Sequence, residues 1–157
     1  MQRLFITVFL IIFNILQSQE KPIAIIGGNV ITGTGERPII NATILIKQGR
    51  LEYVGAHPIK RNLNAYNKID ATAKWITPGI IETNVHLILN IIPEFYIKYE
   101  DRLEDIAIQS AQIGLKYGMT TMADSWGPLE PLLSARDRIK KGEFIASDVL
   151  IAGNIIG

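Results

Sequence analysis

The sequence contains no cysteine, and that absence removes several kinds of chemistry at once. A disulfide framework, thiolate metal sites, a cysteine nucleophile and a lipid-bearing cysteine behind a leader are all excluded. Any metal must be held by His, Asp, Glu or similar ligands, and the chain has only 2 histidines. Charge of one sign is also scarce: 16 basic side chains face 15 acidic ones, for a formal net charge of +1. Such a balance provides no field to hold a polyanion, so nucleic acid is not an expected partner. At 157 residues the chain falls short of the roughly 250 of a closed (β/α)8 barrel, so anything barrel-like here is partial. What is present, 48% hydrophobic and 20% charged residues, lies within the ordinary range of packed globular domains.

The first residues are set apart from the rest. Met1-Gln2-Arg3 makes a short positive start, Leu4 to Leu16 is uncharged and apolar, and the polar Gln17-Ser18-Gln19-Glu20 follows. This is the layout of a secretory signal, with Ser18 small enough to precede a cleaved bond. A bilayer-crossing helix needs about 20 apolar residues, and this run is shorter, with Asn14 inside it. The expectation is an export signal over residues 1–18 and a periplasmic or secreted protein. The alternatives are an uncleaved anchor, for which Leu16 is bulkier than an Ala-x-Ala site would carry, and a buried core helix.

From Ile23 to Val54, short β-rich runs alternate with turn residues. Ile23–Ile26 and Val30–Thr32 flank Gly27-Gly28-Asn29, and the cluster Gly33-Thr34-Gly35-Glu36-Arg37-Pro38 precedes Ala42–Lys47. The turn Gln48-Gly49-Arg50 then joins Ala42–Lys47 to Leu51–Gly55 as a hairpin. Residues 23–77 are expected to form an antiparallel β unit, and Ile80 to Val85 a buried strand with His86 at its end. After Asp101 the period changes. Leu103, Ile106, Ala107, Ile113 and Leu115 recur mostly three and four apart, which predicts an amphipathic helix closed by Gly118. Met119–Ala123 reads as a strand, Leu129–Lys141 as a second helix ending at Gly142, and Val149–Gly153 as a third strand. Strand, helix, strand, helix, strand behind a β-rich segment argues for a parallel α/β sheet or barrel preceded by a small β domain.

Two groups of residues could carry chemistry. Gly27-Gly28 with Gly33-Thr34-Gly35 fails as a phosphate loop, because Pro38 and the β-rich Ile39-Ile40 follow where a helix should start. Asn84-Val85-His86 is more informative. On a strand, positions 84 and 86 point the same way, so two ligands spaced by one residue can converge on one ion. A single His at the end of an apolar strand is also a common structural hydrogen-bonding group, and both readings stand. His57, beside Pro58 in a polar loop, is expected at the surface. Asp124 is expected to order its loop or cap a helix, and Trp75 and Trp126 to anchor core or loop.

Four segments in order resemble the opening of amidohydrolase-superfamily proteins, in the imidazolonepropionase and prolidase-like branch. They are Ile23–Gly28 through Gly33-Thr34-Gly35, Ala42–Ile46 with Gly49-Arg50 and Val54-Gly55, Pro78-Gly79-Ile80-Ile81, and Gly118-Met119-Thr120-Thr121-Met122-Ala123-Asp124. The likeness spans nearly all of residues 23–157. It implies α/β architecture: a small N-terminal β domain over residues 19–77, then over 78–157 the first βα units of an incomplete (β/α)8, TIM-like barrel. It also implies a divalent metal such as Zn, which activates water to hydrolyse C–N or related bonds in amide, lactam or peptide-like small molecules.

The family pattern at the first barrel strand is Pro-Gly-Leu-Ile-Asp-x-His-x-His. Here Glu82 replaces the Asp and Asn84 the first His, leaving His86 as the matching ligand position and Asn84 as a degenerate one. An amide oxygen is a neutral, harder donor than imidazole, suited to Ca or Mg, so the exchange weakens a Zn site. The family's remaining ligands, a Lys that is often carboxylated, two further His and an Asp, come from later strands. The strand-like end at Gly153–Gly157 reads as an interrupted sequence. Two functions are consistent with this: part of an exported hydrolase that is inactive as this isolated chain, or a non-catalytic binding or scaffold protein.

Overall fold

A computed structural model of the chain describes residues 21–88 and 93–154, so the expected export signal lies outside the described residues. Among the described residues no helix is long and apolar enough to cross a membrane. The chain divides between Pro78 and Gly79 into two compact units.

The first unit is a five-stranded sheet built on β1 (Ile23–Val30). β2 (Ile39–Lys47) pairs with β1 on one side, and β3 (Arg50–Ala56) pairs with β2, both antiparallel. The hairpin turn falls at Gln48 and Gly49, both with positive φ, which is the conformation a tight two-residue connection requires. On the other side of β1, β4 (Asn67–Asp70) and β5 (Trp75–Ile76) pair in parallel. The sheet is therefore mixed, not antiparallel as the turn pattern predicts. Parallel neighbours need a long crossover, and the polar stretch between Ala56 and Asn67 supplies it.

The glycine pair belongs to this pairing and not to a turn. Gly27 and Gly28 sit inside β1, where the register with β2 shifts. A Cβ on Gly27 would come within 2.8 Å of Thr72 Oγ1, and one on Gly28 within 2.7 Å of Ile76 Cδ1. Both positions stay bare so that the β4 to β5 segment can lie against β1. Ala42, Thr43, Ile44 and Leu45 are buried in succession, so β2 is covered on both faces. Two expectations fail here. Trp75 is 59% exposed, because it alternates on its two-residue strand with Ile76, which takes the core side. His57 is half-buried, because its Nδ1 lies 2.9 Å from Oγ1 of the fully buried Thr43.

The second unit contains three parallel strands in the order β6 (Ile80–Val85), β7 (Met119–Asp124), β8 (Asp148–Ile151). A short helix α1 (Pro93–Lys98) leads through a 3-10 turn, Glu100–Arg102, into α2 (Leu103–Lys116), and α3 (Leu129–Lys140) links β7 to β8. Strand, helix, strand, helix, strand is the repeating unit of a (β/α)8 barrel. Gly118, at φ 87°, ends α2 and turns the chain into β7. The core joins Ile108 and Ala111 of α2 and Leu132, Ala135 and Ile139 of α3 to Met122 and Val149 of the strands. Ser147, fully buried, reaches the carbonyls of Ala111 at 3.0 Å and Met119 at 2.6 Å, so helix and sheet share one hydroxyl.

α2 and α3 are also clamped at the surface. Glu104 accepts hydrogen bonds from Arg138 and from Ser134 Oγ, and Arg138 reaches Glu143 at 2.8 Å. The Arg138 guanidinium, then the Ser134 hydroxyl, hold the Glu104 carboxyl below its ordinary value. β6 departs from the expectation of a buried strand: Ile80 and Ile81 are 54% and 65% exposed. It is an edge strand among the described residues, with β7 on one side only.

Candidate functional site

In a parallel sheet the carboxyl ends of all strands lie along one edge, which is where α/β proteins build their sites. Here that edge collects Asn84 and His86 from the end of β6, Asp124 with Ser125 and Trp126 from β7, and Ala152 and Gly153 from β8. Backbone bonds hold the three ends together. Ser125 N donates to Val85 O at 3.0 Å, Ala152 N to Asp124 O at 2.9 Å and Gly127 N to Gly153 O at 3.3 Å.

Asp124 anchors this edge from within. It is 1% exposed, and its carboxylate accepts the Leu87 amide at 2.7 Å and the Trp126 amide at 3.1 Å. It orders its loop, one of the two roles its position predicts. It does not cap α3, whose N-cap is Pro128. Gly127 follows without a Cβ because one there would sit 2.7 Å from Leu132 Cδ1, so the loop rests on the core.

Asn84 and His86 are both exposed, and each is held from the β7 side. Ser125 Oγ donates to Asn84 Oδ1 at 2.6 Å, and the Asn84 backbone N–H donates to Glu82 Oε1 at 3.2 Å. The His86 ring bonds through Nδ1 to the Trp126 carbonyl at 3.2 Å and meets the indole edge-on, with centroids 6.1 Å apart. A carbonyl only accepts, so Nδ1 carries the proton and Nε2 the lone pair. That is the tautomer of a histidine whose outer nitrogen is free to ligate a metal while the inner one is fixed by a backbone acceptor. His86 therefore fits a ligand's orientation.

Asn84 offers a single neutral amide oxygen in place of an imidazole, and that oxygen also accepts the Ser125 hydroxyl, so it is a weaker donor to a transition metal. Among the described residues no group of three or more His, Cys, Asp or Glu side chains is placed to hold a metal ion. A catalytic Zn normally has three protein ligands. Asn84 and His86 alone fall short of that number.

Ser125 and Trp126 are absent from the residues the sequence singles out as ligands. Trp126 acts through its backbone carbonyl, which leaves no trace in residue type. Ser125 had one visible signal, its place directly after a βα strand.

Comparison with known proteins shows what the chain is similar to. No family model matches the chain. A molinate hydrolase structure superposes with a TM-score of 0.80 at 36% identity, covering 88% of this chain and 31% of that one. Phenylurea hydrolase B gives a TM-score of 0.77 at 30% identity, covering 87% of this chain and 31% of its own. A structure described as an amidohydrolase shares the fold, with a TM-score of 0.72 at 21% identity, over 85% of this chain and 32% of that one. The structures this chain resembles are members of the amidohydrolase superfamily.

A curated relative, 5-methylthioadenosine/S-adenosylhomocysteine deaminase of Symbiobacterium thermophilum, is 30% identical over 67 residues, which are 42% of this chain and 15% of the relative. The chain thus spans about 31% of the length of the first two structures. Its small β unit and first βα units match the opening portion of an amidohydrolase.

Proposed function

We propose that this chain is the opening part of a metal-dependent amidohydrolase that cleaves C–N or peptide-like bonds in small molecules. It contributes the small β domain, residues 19–77, and the first edge of the metal site, in the barrel segment 78–157. The observation that carries this reading is the 36% identity to a molinate hydrolase over 88% of the chain. The orientation of His86, with Nδ1 on the Trp126 carbonyl, adds support. His86 would be a metal ligand, and Asn84 a weakened one. Further ligands would have to come from outside the described residues, so the isolated chain is expected to be inactive.

A second reading is favoured by one contact. The Ser125 hydroxyl bonds the Asn84 oxygen and so weakens it as a ligand, which suits a member that binds without hydrolysing. The two are separated on native protein captured from its source with an antibody to residues 21–78. Its metal content is measured by emission spectroscopy, and its activity on molinate, a phenylurea, an Xaa-Pro dipeptide and a lactam with and without chelator. Stoichiometric metal with chelator-sensitive hydrolysis supports the first reading. Metal-free protein inert on the whole panel overturns it.

We further propose export, with residues 1–18 as the signal. Its support is the positive start, apolar run and small Ser18.

A further inference from the structure

Asp124 is the one buried charged side chain among the described residues, and both its oxygens face backbone amides. The two amides are not equivalent in what they control. Leu87 follows His86 directly, so the 2.7 Å bond to its N–H fixes the backbone from which the imidazole projects. Trp126 presents its N–H to the same carboxylate at 3.1 Å and its carbonyl to His86 Nδ1 at 3.2 Å. One carboxylate therefore holds both the base of the ring and the group that meets its inner nitrogen.

We infer that Asp124 is a positioning residue for His86: acting through the Leu87 and Trp126 backbone, it selects the Nδ1–H tautomer and leaves the Nε2 lone pair on the exposed side of the ring. The use of that lone pair as a ligand rests on the function proposed above, whereas the tautomer does not. An unconstrained neutral imidazole populates both tautomers, and a fixed acceptor at Nδ1 removes the choice. Asparagine at position 124 would present an NH2 to one of the two amides. A donor would then face a donor, the Trp126 peptide would turn, and its carbonyl would leave the ring.

The adjacent contacts provide internal controls. Ser125 touches Asn84 Oδ1 and Val85 O but not the imidazole, so its side chain has no part in the tautomer. The Trp126 indole lies edge-on to His86, but the hydrogen bond uses the main chain, which Trp126→Phe retains.

The test is long-range proton–nitrogen correlation NMR on the full chain labelled with 15N-histidine. It is run at about pH 8.5, well above the ordinary imidazole pKa of about 6.5, with His57→Gln to assign the two rings. The expected result is an Nδ1–H species for His86 in the wild type, in Ser125→Ala and in Trp126→Phe. Asp124→Asn should move the tautomer ratio toward Nε2–H by about tenfold. A wild-type ring that is mainly Nε2–H overturns the inference, and needs no variant to fold. So does an unchanged ratio in folded Asp124→Asn, or an equal shift in Ser125→Ala or Trp126→Phe. No metal is present in these samples, so a failure of His86 to ligate, read in the preceding experiment, is distinct from a failure of Asp124 to position it.

Discussion

Leu132→Ala would hollow the second unit directly beneath the loop that carries Ser125 and Trp126. Leu132 is fully buried, sharing a core with Leu87, Ile88, Ile108, Ala135 and Ile139. Its Cδ1 is so close to Gly127 that even a Cβ there would lie at 2.7 Å. Removing three carbons forfeits about 2.4 kcal/mol of transfer free energy, at roughly 0.8 per methylene. The surrounding helix and strands relax only partly, and the residual cavity raises the loss to about 3–4 kcal/mol. With a urea slope of about 1.5–2 kcal/mol/M, the unfolding midpoint should fall by about 2 M. Trp126 reports on this unit by fluorescence once the exposed Trp75 is replaced by Phe, a background that removes the signal of the first unit. A midpoint shift below about 0.5 M, corresponding to less than about 1 kcal/mol, would refute the placement of Leu132 at the centre of a tight core.

Three further outcomes are expected. Because Arg138 and Ser134 depress the Glu104 carboxyl, its contribution is complete above the ordinary value of 4.5 and disappears as pH falls through the lowered folded value. Glu104→Gln should therefore cost about 0.5–1 kcal/mol at neutral pH and flatten the acid side of a stability profile measured by urea melts. Asn84→His in this chain should yield neither stoichiometric tight Zn after dialysis nor amide hydrolysis, since two imidazoles still fall short of the usual three ligands. Tight Zn with turnover would show that the ligand set is misjudged. If residues 1–18 are removed on export, the intact mass of the secreted protein should begin near Gln19, and a mass retaining Met1 would favour an anchor.

The two longer helices, α2 and α3, and the parallel strands of the second unit were legible in the sequence because their signals are local and repeated, whereas the six-residue α1 was not. Leu103, Ile106 and Ala107 mark α2, and Gly118 marks its end at the positive φ observed. β4 and β5 were not legible as partners of β1. They are four and two residues long, β4 is exposed throughout, and nothing in Asn67-Lys68-Ile69-Asp70 names a neighbour 44 positions earlier. The apolar run Ile80-Ile81 reads as buried from composition, but exposure depends on which side of a strand has a neighbour, which composition does not record. At the candidate site, Asn84 and His86 could be singled out by their spacing, and Asp124 by its place after a strand. The contacts that orient His86 could not, because they run through peptide groups that every residue possesses.

The parallel pairing of β1 with β4 and then β5 also has a mechanical consequence. β1 meets β4 from Ile23↔Asn67 to Ile26↔Asp70, and meets β5 from Asn29↔Trp75 to Val30↔Ile76, so one continuous stretch of chain runs beside it in the same direction. Tension applied between the start of β1 and the chain leaving β5 pulls the two partners along their length in opposite senses. The bonds joining them, including Ala71 N to Ile26 O and Asn29 N to Lys74 O, are then loaded in shear and share the force, where an antiparallel hairpin pulled at its open end would unzip them one at a time. The tether between Ile76 and β6 thus leaves the first unit at a point where pulling loads the parallel pairing in shear.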